Sequence, residues 1–279
     1  MGAAGNPQGR SGTRGTRVGL LRVVITLSCS AITLRQNGGR SIRVGCMRYL
    51  KLLLLGLWGH VCGVQAGLPD FQAYPAQGER LLLWVASERG RSEPEQEAAR
   101  KLAEQGVEVW SLDLVNAYFL PQLPSSMDRV PLQDLTDWLR SAQASGKRVT
   151  VYAVARAAVP VLRAAAQLEP ALRDRLCLLL MYPNLYTVAE PLAEPDFLDL
   201  GSLSGLRVKV LQPRRSAATP WLPSMLDHLT QLGATVGQSM LENLRESYWA
   251  RETPTEFEEA ESQRMDAMLV NELNTWECK

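Results

Sequence analysis

RVTVYAVARAAVPVLRAAAQ (residues 148–167) is the stretch on which the fold turns. Its first part, Val149 to Val154, is a β-branched apolar run of the kind that fills a buried strand. At Ala155 and Arg156 the pattern breaks, and an alanine-rich segment follows with Val159, Leu162 and Ala166 at helical spacing. The expectation is a strand that bends sharply into a helix, with alanines at the corner.

On the N-terminal side, Arg80 to Ala86 (RLLLWVA) reads as a buried strand followed by Ser87-Glu88-Arg89-Gly90. Ser92 and Glu95 have capping-box spacing with Pro94 in the first turn, which predicts a helix to about Gln105, stopped by Gly106. Val107 to Leu112 is the next strand, ending at Asp113. After a loop with Pro121 and Pro124, Pro131 opens a helix whose Leu132, Leu135, Trp138 and Leu139 share one face. On the C-terminal side, Leu176 to Met181 is a strand ended by Pro183. The segment from Asn184 to Gly205 has no period and reads as a lid or a surface loop. Val208 to Leu211 is a strand, Trp221 to Leu232 a helix, and Thr235 to Met240 the last strand. One final helix starts at Thr253-Pro254-Thr255-Glu256, with Met265, Met268, Leu269 and Trp276 available to pack.

Strands alternating with helices imply parallel pairing and helical crossovers on both faces. The expected fold class is α/β: a doubly wound three-layer α/β/α sandwich with a mostly parallel sheet, formed by residues 67–279. With 279 residues and 46% hydrophobic content, the chain is large enough for a substantial core.

The net charge of +1 hides an asymmetry. Residues 1–69 contain nine Lys or Arg and no Asp or Glu, leaving 21 basic against 29 acidic residues in the body. An acidic body speaks against nucleic acid as a partner. Met47 begins an export signal: Arg48 and Lys51 supply the positive region, Leu52 to Trp58 the apolar run, and Val64-Gln65-Ala66 a small-residue cleavage pattern. That run is shorter than the roughly 20 residues of a spanning helix. Residues 47–66 are therefore expected to be removed near Ala66, giving a periplasmic or secreted protein with no integral membrane span. An uncleaved anchor is the alternative, and a lipoprotein through Cys62 is disfavoured by bulky Val61. Residues 1–46, rich in Gly, Arg and Ser, read as an unstructured leader or as the product of a misassigned start codon, the second being favoured.

Three of the five cysteines, Cys29, Cys46 and Cys62, lie in the basic leader. No disulfide framework or metal spacing is legible in them or in Cys177 and Cys278. His60 and His228 are the two histidines, too few for most histidine-based metal sites. Neither metal nor cofactor is expected.

The order of elements resembles that of the α/β-hydrolase superfamily over nearly all of residues 67–279. In that superfamily the corner after the central strand is a nucleophile elbow, G-x-S-x-G. Here the serine position holds Ala155 and the flanking glycine positions hold Ala153 and Ala157. The resemblance places the oxyanion loop after the strand ending at Ala86, the acid after Gln212 and the histidine after Met240. Those stretches read Ser87-Glu88-Arg89-Gly90, Pro213-Arg214-Arg215-Ser216, and Glu242 to Tyr248, with no carboxylate before Asp227 in the second and no histidine after His228. A degenerate member lacking the Ser-His-Asp triad is what these positions imply, since the triad acts as a unit.

Five arginines, Arg89, Arg156, Arg214, Arg215 and Arg245, fall just after expected strands. Ligands of open α/β sheets bind at that rim. They could form an anion pocket, with Arg156 at the start of a helix. The competing reading pairs them with Glu88, Asp113, Glu242 and Glu246 in a structural network. The leading functional expectation is an exported, non-catalytic protein that binds an anionic small molecule, a lipid headgroup or a protein partner. The alternatives are a hydrolase of ester or related acyl bonds with a non-standard site at Ser87 or Asp113, and a structural subunit of an envelope complex.

Overall fold

In the computed structural model, residues 68–187 and 195–276 are described. The leader, the export signal, His60, four of the cysteines and part of the 184–205 segment lie outside those residues. Up to the corner the elements are β1 (Phe71–Tyr74), β2 (Arg80–Val85), α1 (Glu93–Glu104), β3 (Val107–Leu112), the short α2 (Leu114–Ala117), α3 (Leu132–Ala144) and β4 (Arg148–Val154). Beyond it come α4 (Ala158–Ala166), the short α5 (Pro170–Arg173), β5 (Cys177–Met181), β6 (Arg207–Pro213), α6 (Leu222–Gln231), β7 (Thr235–Leu241), α7 (Glu256–Gln263) and α8 (Met265–Thr275).

The seven strands form one sheet in the order β1-β3-β2-β4-β5-β6-β7. All neighbours from β3 to β7 are parallel. The lead-in before Arg80 adds an antiparallel edge strand, pairing Phe71 with Leu112 and Tyr74 with Val109. The chain runs from β2 outward to β3 and then returns to the other side of β2 as β4. Loops leaving β2 and β4 thus diverge, and a crevice opens at the carboxyl ends of these strands.

Alternation within each strand feeds two apolar layers. Leu81, Leu83 and Val85 pack with α3, α4 and α6, while Leu82 and Trp84 pack with α1 and α8. Burial on both faces is why these strands read as unbroken apolar runs. Each fully buried leucine contributes roughly 2 kcal/mol.

Three further departures from the sequence reading have local causes. The final helix is two, because the backbone breaks at Arg264 between α7 and α8. Within the 184–205 segment, Leu185, Leu200 and Leu203 are buried in the core, so its described parts are anchored rather than loose. Cys177, for which no bridge was legible, is disulfide-bonded. No helix among the described residues is long and apolar enough to cross a membrane.

Candidate functional site

The strand-to-helix corner forms as expected. Strand β4 ends at Val154, a 3-10 turn spans Ala155–Ala157, and α4 follows directly. Ala155 adopts φ +51°, the left-handed region that non-glycine residues rarely occupy. Its carbonyl accepts the Asn184 N–H at 3.1 Å, tying the corner to the loop after β5. A β-branched side chain tolerates this backbone poorly, and the site is 7% exposed. Ala155→Val is therefore expected to cost about 2 kcal/mol in chemical denaturation, whereas Ala155→Gly is expected to be tolerated. An unchanged midpoint for the valine variant would show that the corner relaxes.

The N–H of Arg156, next in the chain, already has a partner. The carboxylate of Glu88, from the loop after β2, accepts it at 3.2 Å. Around this contact lies a cleft of about 200 Å³ lined by Ser87, Glu88, Arg89, Ala155, Tyr182, Pro183, Asn184, Tyr186, Ala217, Ala218, Glu246 and Ser247. Three of its lining residues, Ala155, Tyr182 and Ser247, have positive φ without being glycine. Tyr182 and Ser247 are joined through their hydroxyls at 2.9 Å. Ser216 donates its hydroxyl to the Glu246 carboxylate at the edge of the same cleft.

The charge around the two tyrosines is negative. Burial pushes the Tyr182 hydroxyl well up, with the carboxylates of Glu95, Glu88 and Glu246 adding to the rise. Burial, assisted by Glu246, raises Tyr186 to about 12. Both phenols therefore stay neutral at physiological pH. Beneath the cleft, the Glu95 carboxyl in α1 accepts the Ser92 N–H at 2.8 Å and the Trp84 indole N–H at 3.4 Å. Burial raises the pKa of Glu95.

The residues singled out from the sequence separate into distinct environments. Ser87 Oγ accepts the N–H of Arg89 at 3.2 Å, closing its own turn. Asp113 caps α2 through the Asn116 N–H at 3.1 Å and accepts the Arg91 N–H at 2.9 Å; it does not line the cleft. His228 sits in α6 and stacks on Phe197, which in turn packs against Tyr186, so two rings separate the imidazole from the cleft. Among the described residues no cluster of His, Cys, Asp or Glu could hold a metal ion.

Of the five arginines, only Arg89 lines the cleft. Arg156 is 8% exposed and turns its guanidinium to the carbonyls of Tyr186 at 2.6 Å and Asn184 at 3.4 Å, and to Asp128 at 3.5 Å. It thereby holds the tyrosine wall in place. Arg214 pairs with Glu242 at 2.7 Å, and Arg245 pairs with Glu258 in α7. Arg215 is exposed, and its N–H bonds to the Leu244 carbonyl. Tyr182, Tyr186 and Ser247 were not found from sequence. Their signal was position alone, Tyr182 directly after β5 and Tyr186 and Ser247 in the loops that follow β5 and β7, the same rule that singled out the arginines.

No protein-family model and no curated protein matches the sequence. Solved structures do match in fold. A Klebsiella pneumoniae protein assigned as a dienelactone hydrolase superposes with a TM-score of 0.50 at 17% identity, over 74% of this chain and 99% of its own. An esterase of Pyrobaculum calidifontis gives 0.52 at 12% identity, over 74% and 84%. The esterase Est22 gives 0.51 at 10% identity, over 71% and 73%. With its parallel sheet, its antiparallel edge strand and its bent corner after the central strand, the described chain has an α/β-hydrolase-like fold.

Proposed function

We propose that this protein is an exported, non-catalytic member of the α/β-hydrolase-like fold whose crevice binds a small molecule or a lipid headgroup. One observation carries the reading: Ala155 stands where the resemblance places a nucleophile, and the Arg156 N–H that would face a developing oxyanion is held by Glu88. A rate-enhancing hole needs free donors aimed at the reacting oxygen, and this donor is directed at a fixed carboxylate. Binding is supported by the three strained residues around the cleft, because backbone strain concentrates at functional sites. Export is supported by the Met47–Ala66 pattern and by the disulfide at Cys177, which suits an oxidising compartment.

Labelling with a fluorophosphonate, which reacts with activated serines, tests the reading. The wild type and the Ala155→Ser variant are both expected to remain unlabelled, since a serine needs a base to remove its proton. Stoichiometric labelling of the wild type would overturn it. Loss of such labelling in Ser216→Ala would favour the second reading, ester hydrolysis, for which the Ser216–Glu246 contact beside the cleft is the supporting observation.

A further inference from the structure

The charges that line the cleft differ from those expected of an anion pocket. Arg156, Arg214 and Arg245 are engaged by chain carbonyls or carboxylates, and the lining of the cleft carries Glu88 and Glu246 beside Tyr182 and Tyr186. The two carboxylates each accept one hydrogen bond, from the Arg156 N–H and the Ser216 hydroxyl, and neither is in an ion pair among the described residues. Neutral phenol rings next to uncompensated carboxylates attract an organic cation through ring faces and through charge. Arg89 lies, together with Glu246 and Ser247, where this cleft meets a second groove of about 450 Å³ that also contains Arg251. Its guanidinium has no ion-pair partner among the described residues, which leaves one free anion-binding group in the lining.

Taking the crevice as the binding site proposed above, we infer that it accepts a zwitterion: an ammonium group between the carboxylates and tyrosines, and a carboxylate or phosphate on Arg89. A volume of about 200 Å³ admits a headgroup-sized molecule and excludes a folded partner. A tyrosine wall fixed by the buried Arg156 guanidinium makes the cavity preformed, so little ordering is needed on binding.

Isothermal titration calorimetry with phosphocholine, choline and inorganic phosphate tests the assignment. Phosphocholine is expected to bind saturably, choline more weakly, and phosphate weakest. Glu246→Gln keeps an acceptor for Ser216 and removes the charge; it is expected to weaken phosphocholine and choline by at least about tenfold. Arg89→Ala is expected to weaken phosphocholine while leaving choline unchanged. Phosphate binding as tightly as phosphocholine, no saturable binding of either amine, or an unaltered affinity in Glu246→Gln would each overturn the inference. Vesicles of phosphatidylcholine compared with soluble phosphocholine separate a lipid source from a free one. Calorimetry can fail without disturbing the non-catalytic reading, which stands or falls on the fluorophosphonate result.

Discussion

Glu258→Ala is expected to cost about 2 kcal/mol of stability, from a lost helix cap and lost charged hydrogen bonds, and to flatten the acid limb of the stability profile. The Glu258 carboxylate is fully buried at the start of α7. It accepts the Thr255 N–H at 3.0 Å, the Arg245 N–H at 3.2 Å and Arg245 Nε at 2.7 Å. Removing it breaks a capping box and takes the carboxylate from the Arg245 guanidinium, which keeps the Thr253 carbonyl at 3.1 Å. The hydrogen bond from Arg245 holds the carboxyl down to about 2. Its contribution is therefore present above the ordinary carboxylate range and is lost as pH falls from about 4 towards 2. Glu95 works in the opposite sense. Its raised pKa means that its contribution is complete in acid and declines as pH rises. Urea midpoints of wild type and Glu258→Ala across the acid range check this, and parallel profiles would refute it. Because Arg245 precedes Glu246 and Ser247, the variant is also expected to loosen one wall of the cleft.

The second large effect lies on the opposite side of the sheet from the α3 layer, at the pair Lys209–Glu272. These groups are 2.6 Å apart with side chains 11% and 7% exposed, under the Trp276 ring. Lys209 is on β6 and Glu272 on α8, so the pair fastens the last helix to the sheet. Glu272→Ala leaves a buried ammonium with only Thr275 Oγ1 at 3.4 Å and the Trp276 ring face at 5.9 Å, neither of them a counter-charge, and is expected to cost about 3 kcal/mol. The double variant Lys209→Met with Glu272→Leu removes both charges and is expected to fall within about 1 kcal/mol of wild type. A double-mutant cycle by denaturation measures the difference. A coupling near zero would mean that water reaches the pair.

Strands β2, β4 and β5 were legible to within two residues because burial on both faces makes each an apolar run bounded by Gly, Pro or charge. The edge strand Phe71–Tyr74 was not, since its middle residues Gln72 and Ala73 are exposed and four residues carry too little pattern. Nothing local marked the break at Arg264, where neither Gly nor Pro interrupts the run from Phe257 to Leu273. The arginines show the limit most clearly. Position after a strand brings a backbone to the rim, but the side chain goes where a partner waits. Arg245 found its carboxylate 13 residues on, in a helix whose docking depends on tertiary packing. Arg156 follows a left-handed residue, and its guanidinium meets the carbonyls of Asn184 and Tyr186. Strand-end position thus located the crevice without revealing the sign of its charge.

The left-handed alanine at residue 155 bears on how enzymes are sought by shape. A search template built from main-chain atoms at such a bend would retrieve this chain among hydrolases whatever reaction it does or does not perform, because a methyl group and a hydroxymethyl group hang from the same Cα trace. Discrimination must come from the single substituent on that carbon and from what its neighbour's amide hydrogen is already touching.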